Sequence, residues 1–189
     1  TQQPVTFPVY NGDRLAGSNA HVFIDARPDL RADPKDEVAA AAGLDWSSTA
    51  ILDTTTDTQN CAPAHPCSWD YRDPNSWRQN LVQSATQAYY FVNTFHDHLL
   101  AAPIGFTEAA GNFQNNNFGR SGAGNDAVQA DAQDGGGVNN ANFSTPPDGS
   151  AGRMQMYIFN GPSPRRDGDF DAEVVLHEYT HGLSDRRVG

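Results

Sequence analysis

The spacing of apolar residues along this chain changes twice. From Thr1 to about Asp73, short apolar pieces (VTFPVY, NAHVFID, STAILD) alternate with Gly, Pro and Asp. That pattern predicts short strands joined by loops, with few long helices. Within this part, KDEVAAAAGLDW predicts one short helix ending at Gly43. Further on, Leu81, Ala85, Ala88, Phe91, Val92, Phe95 and Leu99 recur at steps of three and four residues. This is the signature of a long helix with one buried face, and Pro103 and Gly105 end it. Gly111 to Gly137 is rich in Gly and Asn, a composition compatible with disorder. Ala127, Val128, Ala130 and Ala132 nevertheless alternate with polar positions ahead of a run of glycines, so DAVQADAQDGGGVNNANF predicts a hairpin. GRMQMYIF sets Met154, Met156 and Ile158 against Gln155, Tyr157 and Phe159, a strand with both faces fairly apolar. After the turn-rich NGPSPRRDGDF a second helix opens, with Asp169 or Asp171 as N-cap and Glu173 at the positive end of its dipole. The expected fold class is α+β, and no internal repeat interrupts it.

Charge narrows the partners. Twelve Lys and Arg face 23 Asp and Glu, a formal net charge of −11, which disfavours nucleic acid and anionic membrane surfaces. No apolar run approaches the ~20 residues of a transmembrane helix. With no Met and no basic-then-apolar leader before it, Thr1 reads as a processed or artificial start, which is compatible with removal of a secretory signal. Cys61 and Cys67 stand in the Pro-rich CAPAHPC. A local disulfide of an oxidising compartment is the first reading; a small metal knuckle with His65, or two free thiols, are the others.

Chemistry concentrates in DAEVVLHEYTHGLSDRRVG. His177, Glu178 and His181 form H-E-x-x-H. Helix positions four apart differ by about 40° in azimuth and about 6 Å along the axis, so both imidazoles can converge on one cation. Glu178, beside His177, can hold and deprotonate a water activated by that ion. Val174, Val175, Leu176 and Leu183 supply apolar packing around the polar set. A catalytic zinc takes three protein ligands and keeps one position open. The metzincin continuation is excluded, because Ser184 and Arg187 occupy its Gly and His positions. The third ligand is either His21, His65, His96, His98 or a carboxylate folding back, or a residue beyond Gly189. The second is the expectation here.

GFTEAAGNFQNNNFGR, GNDAVQADAQDGGGVNNANFSTPPDG, GRMQMYIF and RDGDFDAEVVLHEYTHGLSDR together resemble the fungalysin family of secreted zinc metalloendopeptidases. The resemblance runs from about Ser84 to Arg186 and is looser before that. It implies a thermolysin-like N-terminal lobe, β-rich with two long helices, the last carrying H-E-x-x-H. Residues 1–80 would form a β-rich segment of the lobe and 81–189 its core, with a C-terminal helical lobe lying outside this chain. It also implies His177 and His181 as ligands of one Zn2+, Glu178 as general base, and a downstream glutamate as third ligand. NNANF sits where such enzymes place an edge strand, so Asn140 and Ala141 would contact substrate by strand addition. Implied partners are protein and peptide substrates, the C-terminal lobe and an inhibitory propeptide. The implied location is extracellular. Asp185 and Arg187 depart from the Asn and Leu more usual in the family.

Weaker candidates remain. His96 and His98 in FHDHLL suit a second metal less well than solvated, capping or structural roles. NDAVQADAQDG could hold Ca2+, though a hairpin with polar turns explains its carboxylates as well. Asn142 is a glycosylation sequon in form, but a glycan there would obstruct the proposed substrate strand, so none is expected. Two rival functions stand: a protease-like lobe acting as a non-catalytic binding module, and a small zinc hydrolase complete within this chain.

Overall fold

The computed structural model describes residues 14–26, 36–40, 46, 48–57, 61–70, 72–73, 75–161 and 165–189. One mixed sheet organises them. Its strands are β1 (Leu15–Ala16), β2 (Ala20–Ile24), β3 (Val128–Ala132), β4 (Ala141–Ser144) and β5 (Arg153–Met156), in the order β1-β2-β3-β5-β4. β2 runs parallel to β3 and β3 parallel to β5, while β1 and β4 are antiparallel to their neighbours at the two edges. A two-stranded antiparallel ribbon, β6 (Ile158–Phe159) with β7 (Arg166–Asp167), extends beyond β5.

Helix α1 (Leu81–Leu100), entered through a 3-10 turn at Ser76–Asn80, packs across β2 and β3. Its buried positions include Ala85, Ala88, Val92 and Leu99, as the spacing predicts, together with Tyr89 and His96. Phe91 and Phe95 pack at the rim of the same core. The two alanines let the backbone approach the sheet closely. After Leu100 the chain turns at Ala101, Pro103 and Gly105. Gly105 has φ +63° and its N–H bonds to Ala101 O, a backbone state that favours glycine. Among the described residues no helix is long and apolar enough to cross a membrane.

Four expectations change. The stretch from Asp126 to Phe143 is not a hairpin: β5 lies between β3 and β4, and the true hairpin is β4–β5. The Met-rich strand takes the interior position between β3 and β4 because Met154 and Met156 are both fully buried, and burying each contributes roughly 1.5–3 kcal/mol. The GRMQMYIF strand is broken at Tyr157, whose carbonyl accepts from Gly168 N instead of continuing a ladder. The short helix expected around Val38 is absent over residues 36–40, where Glu37 bridges antiparallel to Phe23; residues 41–45 lie outside those described. STAILD is not a regular strand: its ladder contact is Asp53 with Cys67. VTFPVY also lies outside the described residues.

The Gly- and Asn-rich stretch is ordered because side-chain amides replace missing ladder bonds. Asn112 Nδ2 donates to Phe106 O, and Asn112 Oδ1 accepts from Phe113 N and from Tyr179 Oη. Gln114 N donates to Asp126 Oδ1 and Asn115 N to Ser18 O.

Candidate functional site

Helix α2 (Ala172–Val188) carries the H-E-x-x-H set. Asp171 is its N-cap, accepting from Glu173 N at 3.0 Å, an interaction that stabilises such a helix by about 1 kcal/mol. Acidic Glu173 in the first turn and Arg186 and Arg187 in the last suit the dipole. Val175, Glu178, Tyr179 and Gly182 are buried, the three-and-four spacing of an inward face. Tyr179 anchors that face: its ring meets Phe95 and Phe113 edge-on at 5.6 and 5.7 Å, and its hydroxyl donates to Asn112.

Opposite the core, His177 and His181 are exposed. Their Nε2 atoms face one another 3.0 Å apart, with the ring planes 87° apart. Two nitrogens each ~2.0–2.1 Å from a tetrahedral metal ion stand about 3.4 Å apart, so the pair fits a shared cation with a shift of a few tenths of an ångström. Glu178 lies between the two faces. It is 6% exposed, yet a carboxylate oxygen and the two imidazole nitrogens all lie within 4.8 Å of one another. Burial pushes its carboxyl above the ordinary value of 4.5, with His181 and then His177 pulling the other way. A carboxylate so placed is a stronger base than an exposed one, which suits a proton acceptor.

Among the described residues, none of His21, His65, His96 or His98 joins this set. His21 pairs with Glu37 at 2.9 Å, and His65 is exposed on the Cys loop. His98 is exposed and stacks on Phe95. His96 is not solvated: it is 2% exposed, between Asp97 at 3.0 Å and Gln114 at 3.1 Å, and is structural. Cys61 and Cys67 form a disulfide, with Cα atoms 5.4 Å apart, which removes the knuckle and the free thiols. The carboxylates of NDAVQADAQDG are turned toward guanidinium groups: Asp126 pairs with Arg186, and Asp131 with Arg153.

β4 forms the sheet edge beside α2. Ala141 is buried and Asn140, just before the strand, is exposed. Asn142 Nδ2 donates to Tyr157 Oη at 2.8 Å, so the nitrogen a glycan would need is engaged.

Arg186 is a residue the sequence reading passed over. Its side chain is 5% exposed, its Nη1 donates to Gly111 O, Asp126 Oδ2 and Asp148 Oδ1, and its Nη2 donates to Ser150 O. Its guanidinium also lies 4.4 Å from the Phe113 ring centre. Nothing in the sequence distinguishes it from exposed Arg187 except its place four residues after buried Gly182.

Paired imidazoles on an exposed helix face, a buried carboxylate beside them and a sheet edge alongside form an arrangement that could serve a metallopeptidase. The comparisons agree. Residues 36–189 match the family described as Fungalysin metallopeptidase (M36). The chain is 42% identical over 205 residues to Extracellular metalloproteinase 2 of Arthroderma gypseum, covering 94% of this chain and 32% of that protein. It is 54% identical over 125 residues to Extracellular metalloproteinase mep of Aspergillus flavus, covering 66% and 19% respectively. Extracellular metalloproteinase MEP of Pyricularia oryzae is 44% identical over 176 residues, covering 83% of this chain and 27% of its own length. The chain therefore belongs to the fungalysin metallopeptidase family. It spans about a third or less of the length of these relatives.

Proposed function

We propose that this chain is the metal-holding lobe of a secreted zinc metalloendopeptidase that hydrolyses internal peptide bonds. The observation that carries the reading is the pair of Nε2 atoms 3.0 Å apart on an exposed face with buried Glu178 beside them. His177 and His181 would hold the ion, and a third ligand would come from a downstream glutamate. Bound zinc supplies Lewis acidity and makes a coordinated water nucleophilic near neutral pH.

The chain's own residues do the rest. Glu178 accepts the water's proton at a carboxylate oxygen and returns it to the leaving amine nitrogen. Its raised basicity and low exposure suit that shuttle. β4, at the sheet edge, offers backbone groups to an extended peptide, with Asn140 and Ala141 as first contacts. The C-terminal lobe would close the cleft, and a propeptide would cover it before activation. The disulfide suits an oxidising, extracellular location, as do the relatives' names.

Glu178→Gln in the full-length protein tests the assignment. The variant should keep its zinc and lose about 10²–10⁴-fold in turnover. Normal peptide cleavage by that variant would remove Glu178 from the mechanism.

A further inference from the structure

Gly182 sits inside α2, one residue after His181. A glycine in a helix interior is about 1 kcal/mol worse than alanine, and Gly182 has no positive φ to justify it. Packing does. A Cβ at Gly182 would stand 2.7 Å from Phe143 Cε1 and 2.8 Å from Cε2 and Cζ of Phe113. Gly152, the residue before β5, also has an ordinary φ. A Cβ there would stand 2.8 Å from the same Phe143 Cε1 and 2.7 Å from Phe143 Cζ. Phe113 Cε1 stands 3.0 Å from that same position, so the edges of two rings, Phe143 and Phe113, occupy the room that two absent side chains would fill, and Phe143 makes the shortest contact at each. Phe113, 5.4 Å away by ring centres, and Tyr179, at 6.3 Å, hold the Phe143 ring on further sides.

That ring belongs to the edge strand. Phe143 pairs with Met154 and Ala141 with Met156, so both point to the face of the sheet that α2 covers. We propose that Phe143, seated between Gly182 and Gly152, sets the spacing between the metal-holding helix and the peptide-holding strand. It is a positioning residue for peptide cleavage. The inference rests on the function proposed above. An ordinary Cβ contact begins at 3.4 Å and the room here is 2.7 Å, so a methyl at Gly182 demands about 0.7 Å of movement. The helix cannot yield without carrying His177 and His181 with it, and the strand cannot yield without carrying Ala141. Misplacement of about 1 Å costs up to about 10²-fold in rate.

The test uses the full-length proteinase, with active sites counted by titration with a tight-binding hydroxamate. Gly182→Ala should keep its zinc and its KM for a peptide substrate within about two-fold, and lose about ten-fold or more in kcat per titrated site. Adding Phe143→Leu should return part of that loss, because it frees the strand side of the space while Phe113 keeps its place 2.8 Å from the added Cβ. A kcat for Gly182→Ala within two-fold of the parent, or no recovery in the double variant, would overturn the proposal. If Gly182→Ala does not fold, the double variant is compared with Phe143→Leu alone. It should lose less than about ten-fold in kcat against that variant; a larger loss contradicts the seat. A parent protein without metal-dependent cleavage would instead condemn the underlying functional reading. Urea midpoints of the same variants would still report whether substitutions at the two positions compensate.

Discussion

Asp167 and Asp169 lie two residues apart beneath α2, both buried, and physical chemistry treats them differently. Asp167 accepts from Asp169 N at 3.0 Å, from Ser84 Oγ at 2.6 Å and from Gln133 Nε2. Asp169 accepts from Gln133 N at 3.0 Å. Its burial, followed by the neighbouring charge of Asp167, pushes its carboxyl well above the ordinary value of 3.8. Asp169→Asn should therefore change stability little at acid pH and become stabilising relative to the parent as pH rises. Asp167→Asn should cost about 1–3 kcal/mol, because an amide nitrogen cannot accept its bonds. The pH dependence carries a definite sign. A carboxyl that binds its proton more tightly when folded stabilises fully below pH ~4 and loses that contribution as pH rises. Urea midpoints across the acid-to-neutral range should fall with rising pH in the parent and slope less in Asp169→Asn. An equal slope in both would show that Asp169 is ionised in the fold.

At the scale of elements, Arg186 joins the last turn of α2 to Gly111, Asp126, Asp148 and Ser150. Arg186→Met leaves Asp126, fully buried, without its cation. The expected loss is about 3 kcal/mol, with faster amide exchange in residues 145–152. Arg187→Ala, on the exposed side, should stay within about 0.5 kcal/mol. Comparable losses in both would mean that the last turn of the helix is not clamped.

The two long helices were legible in the sequence because a three-and-four period is a local signal, and α1 and α2 fill the stretches the spacing marks. Sheet order was not legible. Alternation at Ala130 and Ala132 identified a strand, but whether β4 or β5 lies beside it is decided by distant burial of Met154 and Met156. Residues 36–40 of KDEVAAAAGLDW are not helical because Glu37 bridges to Phe23 there, a distant pairing that no local spacing signals; residues 41–45 lie outside those described. The H-E-x-x-H set was readable whole, since one helix carries it. The aromatic seat of Phe143 and the clamp of Arg186 were not, since each joins α2 to segments 30 or more residues away in sequence.

Across the whole molecule, a five-stranded sheet and one crossing helix hold α2 so that a single face carries both imidazoles outward and the opposite face is locked by aromatics. The −11 charge disfavours polyanionic partners, and the outward face carries the two imidazoles proposed above to hold zinc. Zinc content of the full-length protein by elemental analysis, before and after His177→Ala and His181→Ala, tests this most directly. The account predicts stoichiometric zinc in the parent and its loss in each variant. A parent without a transition metal, or variants that keep theirs, would contradict it.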